Sequence, residues 1–190
     1  MACRRVTGLV IAAALAAGFA AGAAAQGKTV FDLRSPAYPE FSGLAKKNVG
    51  NDPRYAGCDC GNISPPLAWT GAPAATKSYT LMVIDLAGDP PRGFVHWIDY
   101  GIPAAVTALA EGEGSKSSTA IVSGRNSVGK EGYFGPCPPA RDKAHPYVFL
   151  LMATNLAPDA LKSGLTREAL AATLRGHVLG RTTLVLTYGQ

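Results

Sequence analysis

Histidine is scarce in this chain. Three occur in 190 residues, His96, His145 and His177, and no two lie three or four residues apart, so a metal site built on a helical histidine pair has no candidate. The Gly-x-Ser-x-Gly pattern is missing, which removes a common hydrolase nucleophile turn. Ser64, followed by two prolines, has nothing in the sequence to activate it. Charge is modest, with 18 Lys and Arg against 13 Asp and Glu. That excess is too small and too scattered to indicate nucleic acid as a partner. Beyond residue 25 no apolar run approaches the roughly 20 residues that cross a bilayer, and internal repeats, heptads and domain linkers are absent.

What is present begins with a leader pattern. Arg4 and Arg5 precede a run of apolar and small residues from Leu9 to Ala25, and Ala23-Ala24-Ala25 before Gln26 has the small-residue form of a cleavage site. Residues 1–25 are expected to be a secretory signal peptide and 26–190 a single domain, periplasmic or secreted, with no membrane span after cleavage. Cys3 leaves with the leader, so Cys58, Cys60 and Cys137 remain in a compartment where disulfides persist. One residue between Cys58 and Cys60 is an awkward separation for a local bridge. The expected bridge therefore runs from Cys137 to Cys58 or Cys60 and leaves one thiol over. A zinc site of the three cysteines with His145 lacks a second paired spacing.

The strongest strand signals lie in the middle and at the end. Val30 to Leu33 reads as an edge strand, and Asn62 to Trp69 as an extended segment anchored by Leu67 and Trp69. Ser78 to Asp85 reads as a central strand that delivers a carboxylate to the sheet end. Gly93 to Gly101 is a second strand, in which alternation places Phe94, His96, Ile98 and Tyr100 on one face and Val95, Trp97 and Asp99 on the other. A short strand is expected over Thr119–Val122, a long one over Tyr147–Thr154 and a last one over Thr182–Tyr188. A helical turn is expected at Pro158–Lys162. A helix over Thr166–Arg175 is capped by Thr166, stapled by Leu165 with Leu170, and stopped by Gly176. The layout is mostly β, a two-sheet antiparallel β-sandwich with a few peripheral helices near the C terminus.

Asp85, His96 and His145 fall at strand ends beside Gly/Pro loops, where binding residues concentrate. If the two middle strands pair, Asp85 comes close to His96, and a carboxylate beside an imidazole fixes its tautomer. The stretch Glu131–Phe149 supplies a stiff loop, with Gly135 free in its backbone angles and Pro136, Pro138 and Pro139 fixed in theirs. From the residues alone, the constellation admits an anion pocket, a hydrolytic site or a metal site.

Four linked motifs narrow this. Asn62-Ile63-Ser64-Pro65-Pro66-Leu67-Ala68-Trp69, Asp85 followed by His96-Trp97, Tyr133-Phe134-Gly135-Pro136-Cys137-Pro138-Pro139, and His145-Pro146-Tyr147-Val148-Phe149 occur in order. Together they resemble the phosphatidylethanolamine-binding protein family, in particular its bacterial Raf-kinase-inhibitor-like branch. The resemblance implies two antiparallel sheets with flanking helices and a small pocket for phosphate-like or carboxylate anions, with no cofactor. Carried over position by position, it implies a pocket of Asp85, His96, His145 and Tyr147 against a wall of Gly135, Pro136, Cys137 and Pro139, the Cys137 backbone N–H acting as an anion donor. The family loop Asp-Pro-Asp-Ala-Pro is replaced by Asp85-Leu86-Ala87-Gly88-Asp89-Pro90, so the second acid is displaced.

The expected function is thus a periplasmic or secreted binding protein, not an enzyme, for a small anionic ligand or phospholipid head group. One alternative is an inhibitor or interaction module that captures a kinase, protease or other protein partner. A hydrolase using His96 and Asp85 is the other.

Overall fold

The computed structural model describes residues 30–55, 57–115 and 121–190. The expected signal peptide and its cleavage site lie outside the described residues, as do Thr119 and Ala120. The order of elements is β1 (Asp32–Arg34), β2 (Leu67–Thr70), β3 (Ser78–Asp85), β4 (Phe94–Pro103), β5 (Ala108–Leu109), β6 (Val122–Ser123), β7 (His145–Thr154), α1 (Arg167–Thr173) and β8 (Val178–Tyr188). They form a three-stranded sheet, β1-β2-β5, and a five-stranded sheet, β6-β4-β3-β7-β8, and every pairing within them is antiparallel.

The main core fills the space between the two sheets. Leu33, Leu67, Trp69 and Leu109 from the small sheet meet Leu81, Val83, Trp97, Phe149, Leu151 and Leu184 from the large one. A second cluster lies on the outer face of the large sheet. There Met82, Ile98, Tyr100 and Met152 pack under Leu170 and Leu174. The helix forms where its caps predict: Thr166 Oγ1 accepts the Ala169 N–H, and Gly176 carries a φ of 78° just beyond the end. It is the single α-helix among the described residues, and Pro158–Lys162 makes turns rather than a second one.

The alternation expected for β4 is broken at His96. Val83 pairs with Trp97 and Ile84 with Val95, so His96 is the extra residue of a β-bulge. The bulge sends Val95 to the outer cluster with Ile98 and Tyr100, while Trp97 enters the main core. His96 is thereby turned toward the end of the sheet and packs edge-on against Tyr147, with ring centroids 5.1 Å apart.

Because β3 runs antiparallel to both neighbours, its last residue meets the first residues of both. Asp85 is opposite Phe94 on one side and Tyr147 on the other, and β7 itself begins at His145. One end of the sheet therefore gathers Asp85, His96 and His145.

Candidate functional site

At that end lies a cavity of about 300 Å³. Asp85, His96 and His145 meet there with Phe94, Phe134 and Tyr55, with the loop after β3, and with Cys137, Pro138, Pro139 and Asp142 of the loop before β7. Of the residues expected at the site, the cavity brings together Asp85, His96, Cys137, Pro139 and His145. Gly135, Pro136 and Tyr147 stand behind its surface and not on it.

Asp85 holds three donors. Its Oδ1 accepts the N–H groups of Ala87 at 2.9 Å and Gly88 at 3.1 Å, and its Oδ2 accepts from His145 Nδ1 at 2.7 Å. The turn that delivers the two amides depends on Gly88, where a Cβ would come within 2.9 Å of Phe94 Cβ and 3.0 Å of Asp85 Oδ2. The substituted loop Leu86-Ala87-Gly88 thus cages the carboxylate in its own way, and Asp89 and Ala87 both reach the cavity lining.

The carboxylate orients His145, not His96. His145 Nδ1 is held by Asp85, and its Nε2 lies 3.7 Å from Asp142 Oδ2, so the ring sits between two carboxylates. His96 has a different partner: its Nδ1 is 2.7 Å from the Phe134 carbonyl, while the Phe134 N–H returns a bond to the His96 carbonyl at 2.9 Å. A carbonyl can only accept, so Nδ1 carries the proton. Burial pushes the His96 pKa down to about 4, against a smaller upward pull from the Phe134 carbonyl and Asp85. The ring is therefore neutral near pH 7, with Nε2 as its lone-pair atom.

The loop wall is pinned from behind. Asn62 accepts the Gly135 N–H at 2.8 Å and donates to the Tyr133 carbonyl at 3.0 Å, and Gly50 N–H reaches the Pro136 carbonyl at 3.1 Å. Gly135 is needed because a Cβ there would run into Asn48 O and the Gly50 nitrogen. A disulfide joins Cys58 to Cys137, 79 residues away, and leaves Cys60 as the free thiol. Two of the three cysteines considered as zinc ligands are thus spent on each other. Among the described residues no group of three His, Cys, Asp or Glu is placed to hold a metal ion.

Tyr147 lies beneath His96, and its hydroxyl is buried without a formed hydrogen bond. Burial drives its pKa far upward, and the Cys137 N–H nearby lowers it only in part. Ser64, the serine weighed as a nucleophile, is fully buried and accepts the Gly114 N–H at 3.0 Å, away from the cavity. A larger cleft of about 420 Å³ lies beside the other side of the Phe134 wall. Its Asn62 and Asn126 side chains are occupied by backbone groups.

Sequence reasoning missed Asp142 and the aromatic lining, and it registered Asp89 as a displaced acid without assigning it to the site. Asp142 sits three residues before His145, a spacing that carries meaning only once the loop shape is known. Phe134 belongs to a quoted motif and Phe94 lies on the strand of His96, yet neither was assigned to the site; Phe94 tilts against the His96 ring at 4.9 Å and Phe134 stacks on it at 5.8 Å.

A family model for phosphatidylethanolamine-binding protein matches residues 45–189. A UPF0098 protein of Methanothermobacter thermautotrophicus is 37% identical over 141 residues, covering 73% of this chain and 91% of that one. The UPF0098 protein YbcL of Escherichia coli K12 is 43% identical over 101 residues, 51% of this chain and 55% of that one. The crystal structure of E. coli YbcL, described as a member of the mammalian PEBP family, superposes with a TM-score of 0.76 at 30% identity, covering 84% of this chain and 98% of that one. The structure of a putative phosphatidylethanolamine-binding protein homolog from Chlamydia trachomatis gives 0.72 at 30% identity, covering 85% and 99%.

Proposed function

Because this chain belongs to the phosphatidylethanolamine-binding protein family, we propose that it is a periplasmic or secreted binding protein whose cavity holds the phosphate-like or carboxylate group of a small ligand, a phospholipid head group being one such ligand. The observation that carries the reading is the imidazole of His145, fixed at Nδ1 by Asp85 and turned with Nε2 toward the cavity side. When doubly protonated, that ring offers an anion a charge-assisted N–H donor whose orientation is already set. The apolar walls of Phe94, Phe134, Pro138 and Pro139 exclude water and strengthen the interaction. The leader pattern and the Cys58–Cys137 bridge support an oxidising compartment.

Calorimetry with inorganic phosphate and phosphoethanolamine tests the reading. One saturable site is expected in the native protein, with affinity lost in His145→Ala while the folded signal is kept. Titrations that match in the native protein and in His145→Ala would count against it.

A protein partner is the second reading, and one observation favours it. Tyr55, which lines the cavity, and Leu86, between the lining residues Asp85 and Ala87 in sequence, are 37% and 60% exposed. Capture of an anionic side chain or chain terminus would bring partner surface onto those two residues. Phosphate should then compete with the partner, and Leu86→Ser should weaken the partner without changing phosphate affinity.

A further inference from the structure

We propose that a groove beside α1, on the outer face of the large sheet, binds a single-chain anionic amphiphile, an alkyl carboxylate of the fatty-acid kind. The groove shares no lining residue with the sheet-end cavity, and the proposal does not rest on the anion reading above.

The argument begins with a strand that is apolar on both faces. In β7, Tyr147, Phe149 and Leu151 enter the main core, and the alternate residues Pro146, Val148, Leu150 and Met152 face outward. An antiparallel sheet with one face in water usually makes that face polar. Here the register adds more apolar side chains, since Met82 of β3 lies opposite Leu150 and Ile84 opposite Val148. The seven residues of α1 cover this strip only in part. Leu170 and Leu174 join Met82 and Met152 in one buried cluster, whereas Leu150, Val148 and Ile84 remain partly exposed.

Where the helix leaves the strip uncovered, a groove of about 470 Å³ opens. Its floor is Met82, Leu150 and Met152, and its walls come from Ala171 and Leu174 of the helical segment and Val178 of β8. The floor spans two adjacent strands, roughly 5 Å apart. That width suits one extended alkyl chain, whereas a partner helix is about 10 Å across. Methionine side chains, unbranched and soft, adapt readily to such a chain.

The charge along the groove is of one sign. Arg167, Arg175 and Arg181 line it, and no Asp or Glu does among the described residues. The Arg167 guanidinium is engaged by Glu168 at 3.0 Å and by the Arg92 carbonyl. The side chains of Arg175 and Arg181 have no ion pair or hydrogen bond among the described residues. Arg175 follows the end of α1, and Arg181 stands opposite Met152 in register, so Leu150 and Val148 lead away from both along β7. A guanidinium binds a carboxylate through paired N–H donors while its stem lies along apolar surface. Two uncommitted guanidinium groups beside an apolar floor one chain wide therefore match a ligand with its charge at one end and hydrocarbon behind it.

Met82 and Met152 are the two methionines among the described residues, and both lie on the groove floor. Their methyl resonances, isotope-labelled in the whole protein, report the site directly. Decanoate is titrated alongside acetate, which has the head without the chain, and decyltrimethylammonium, which has the chain with the opposite charge. Decanoate is expected to shift both resonances to saturation at one molecule per chain, and to bind at least about tenfold more tightly than either control. The double variant Arg175→Gln/Arg181→Gln, exposed at both positions, should keep the fold and weaken decanoate by at least about tenfold. Decyltrimethylammonium binding as tightly as decanoate, or decanoate affinity unchanged in the double variant, would overturn the proposal. So would methyl resonances that stay in place as decanoate is added. Resonances that move with protein concentration alone would assign the strip to a second copy of the chain, and movement with an acidic peptide but not with decanoate would assign it to a protein partner. Either result overturns the proposal as well.

Discussion

Asp85 Oδ2 accepts a 2.7 Å hydrogen bond from His145 Nδ1, a contact between the last residue of one strand and the first of its neighbour, with both side chains nearly buried. Two backbone amides complete the set of donors around Asp85. Every proton in that arrangement is aimed at an acceptor, so the pair is sensitive to replacement by an amide of the same shape.

Asp85→Asn keeps one acceptor oxygen and turns an NH₂ either toward the Ala87 and Gly88 amides or toward His145 Nδ1–H. In the first orientation a buried donor faces donors, and in the second His145 must give up its Nδ1 proton and take the Nε2–H tautomer that the native carboxylate excludes. The expected loss is about 2–3 kcal/mol of stability by urea unfolding. Phosphate affinity should fall further, since His145 loses the partner that orients it. An Asn variant with native stability and native binding would show that the carboxylate organises nothing.

Gly135→Ala should break the wall without touching the cavity lining. The added methyl meets the Asn48 carbonyl and the Gly50 nitrogen, both backbone atoms that cannot swing aside. Relief requires the loop to shift, with the Gly135–Asn62 and Gly50–Pro136 bonds disturbed. A loss of about 1–3 kcal/mol is expected by thermal or urea unfolding, together with weakened phosphate binding because Cys137 and Pro139 move with the wall. Native affinity in a destabilised variant would show that the wall and the ligand are independent.

How far the sequence carried can be read from these same residues. The run Ser78–Asp85 has the bounds of β3 because a five-residue apolar core flanked by turn residues leaves little freedom. The site residues were found because strand ends beside Gly/Pro loops are recognisable. The pairing among them was not, since β3 has two antiparallel neighbours and periodicity cannot say which one supplies the partner of Asp85. The bulge at His96 has no signature in a strand of continuous aromatic and β-branched residues. The role of Gly135 depends on the backbone of Asn48–Gly50, 85 to 87 positions earlier in the chain, a contact that spacing does not encode. Cys58 and Cys60 were equivalent by spacing, and the fold alone selects Cys58.

Reduction of the Cys58–Cys137 bridge removes a link across 79 residues. Its entropic effect on the unfolded chain implies about 2–4 kcal/mol of stability, measured as a lower guanidinium midpoint in the presence of reductant. Cys60→Ser should leave that midpoint within about 0.5 kcal/mol, because Cys60 is unbridged and partly exposed. Thiol titration of denatured residues 26–190 before reduction should find the Cys60 thiol alone. A reductant that leaves the midpoint unchanged would mean that the bridge adds nothing to folding.

Two buried groups give opposite pH slopes over nearly the same window. Burial holds the His96 pKa at about 4, below its ordinary 6.5, so the unfolded chain takes up a proton first and stability falls as pH drops from about 6.5 toward 4. Burial raises the Asp99 carboxyl from 3.8 to about 7, with the Ser123 hydroxyl, 2.6 Å away, pulling it back only in part. There the folded state holds the proton, so the stability it contributes is present below about 3.8 and is lost as pH rises through about 7. The native profile is consequently flattened between those limits. Asp99→Asn keeps an acceptor for Ser123 and removes the second slope. Relative to the native protein its stability should climb between about pH 4 and 7 and level off above. The total gain is a few kcal/mol, at about 1.4 kcal/mol for each pH unit crossed. Urea midpoints of the two proteins, measured at intervals across that range, give the difference directly, and every other titrating group cancels in it. Parallel curves would mean that Asp99 titrates in the folded protein as it does in the unfolded one.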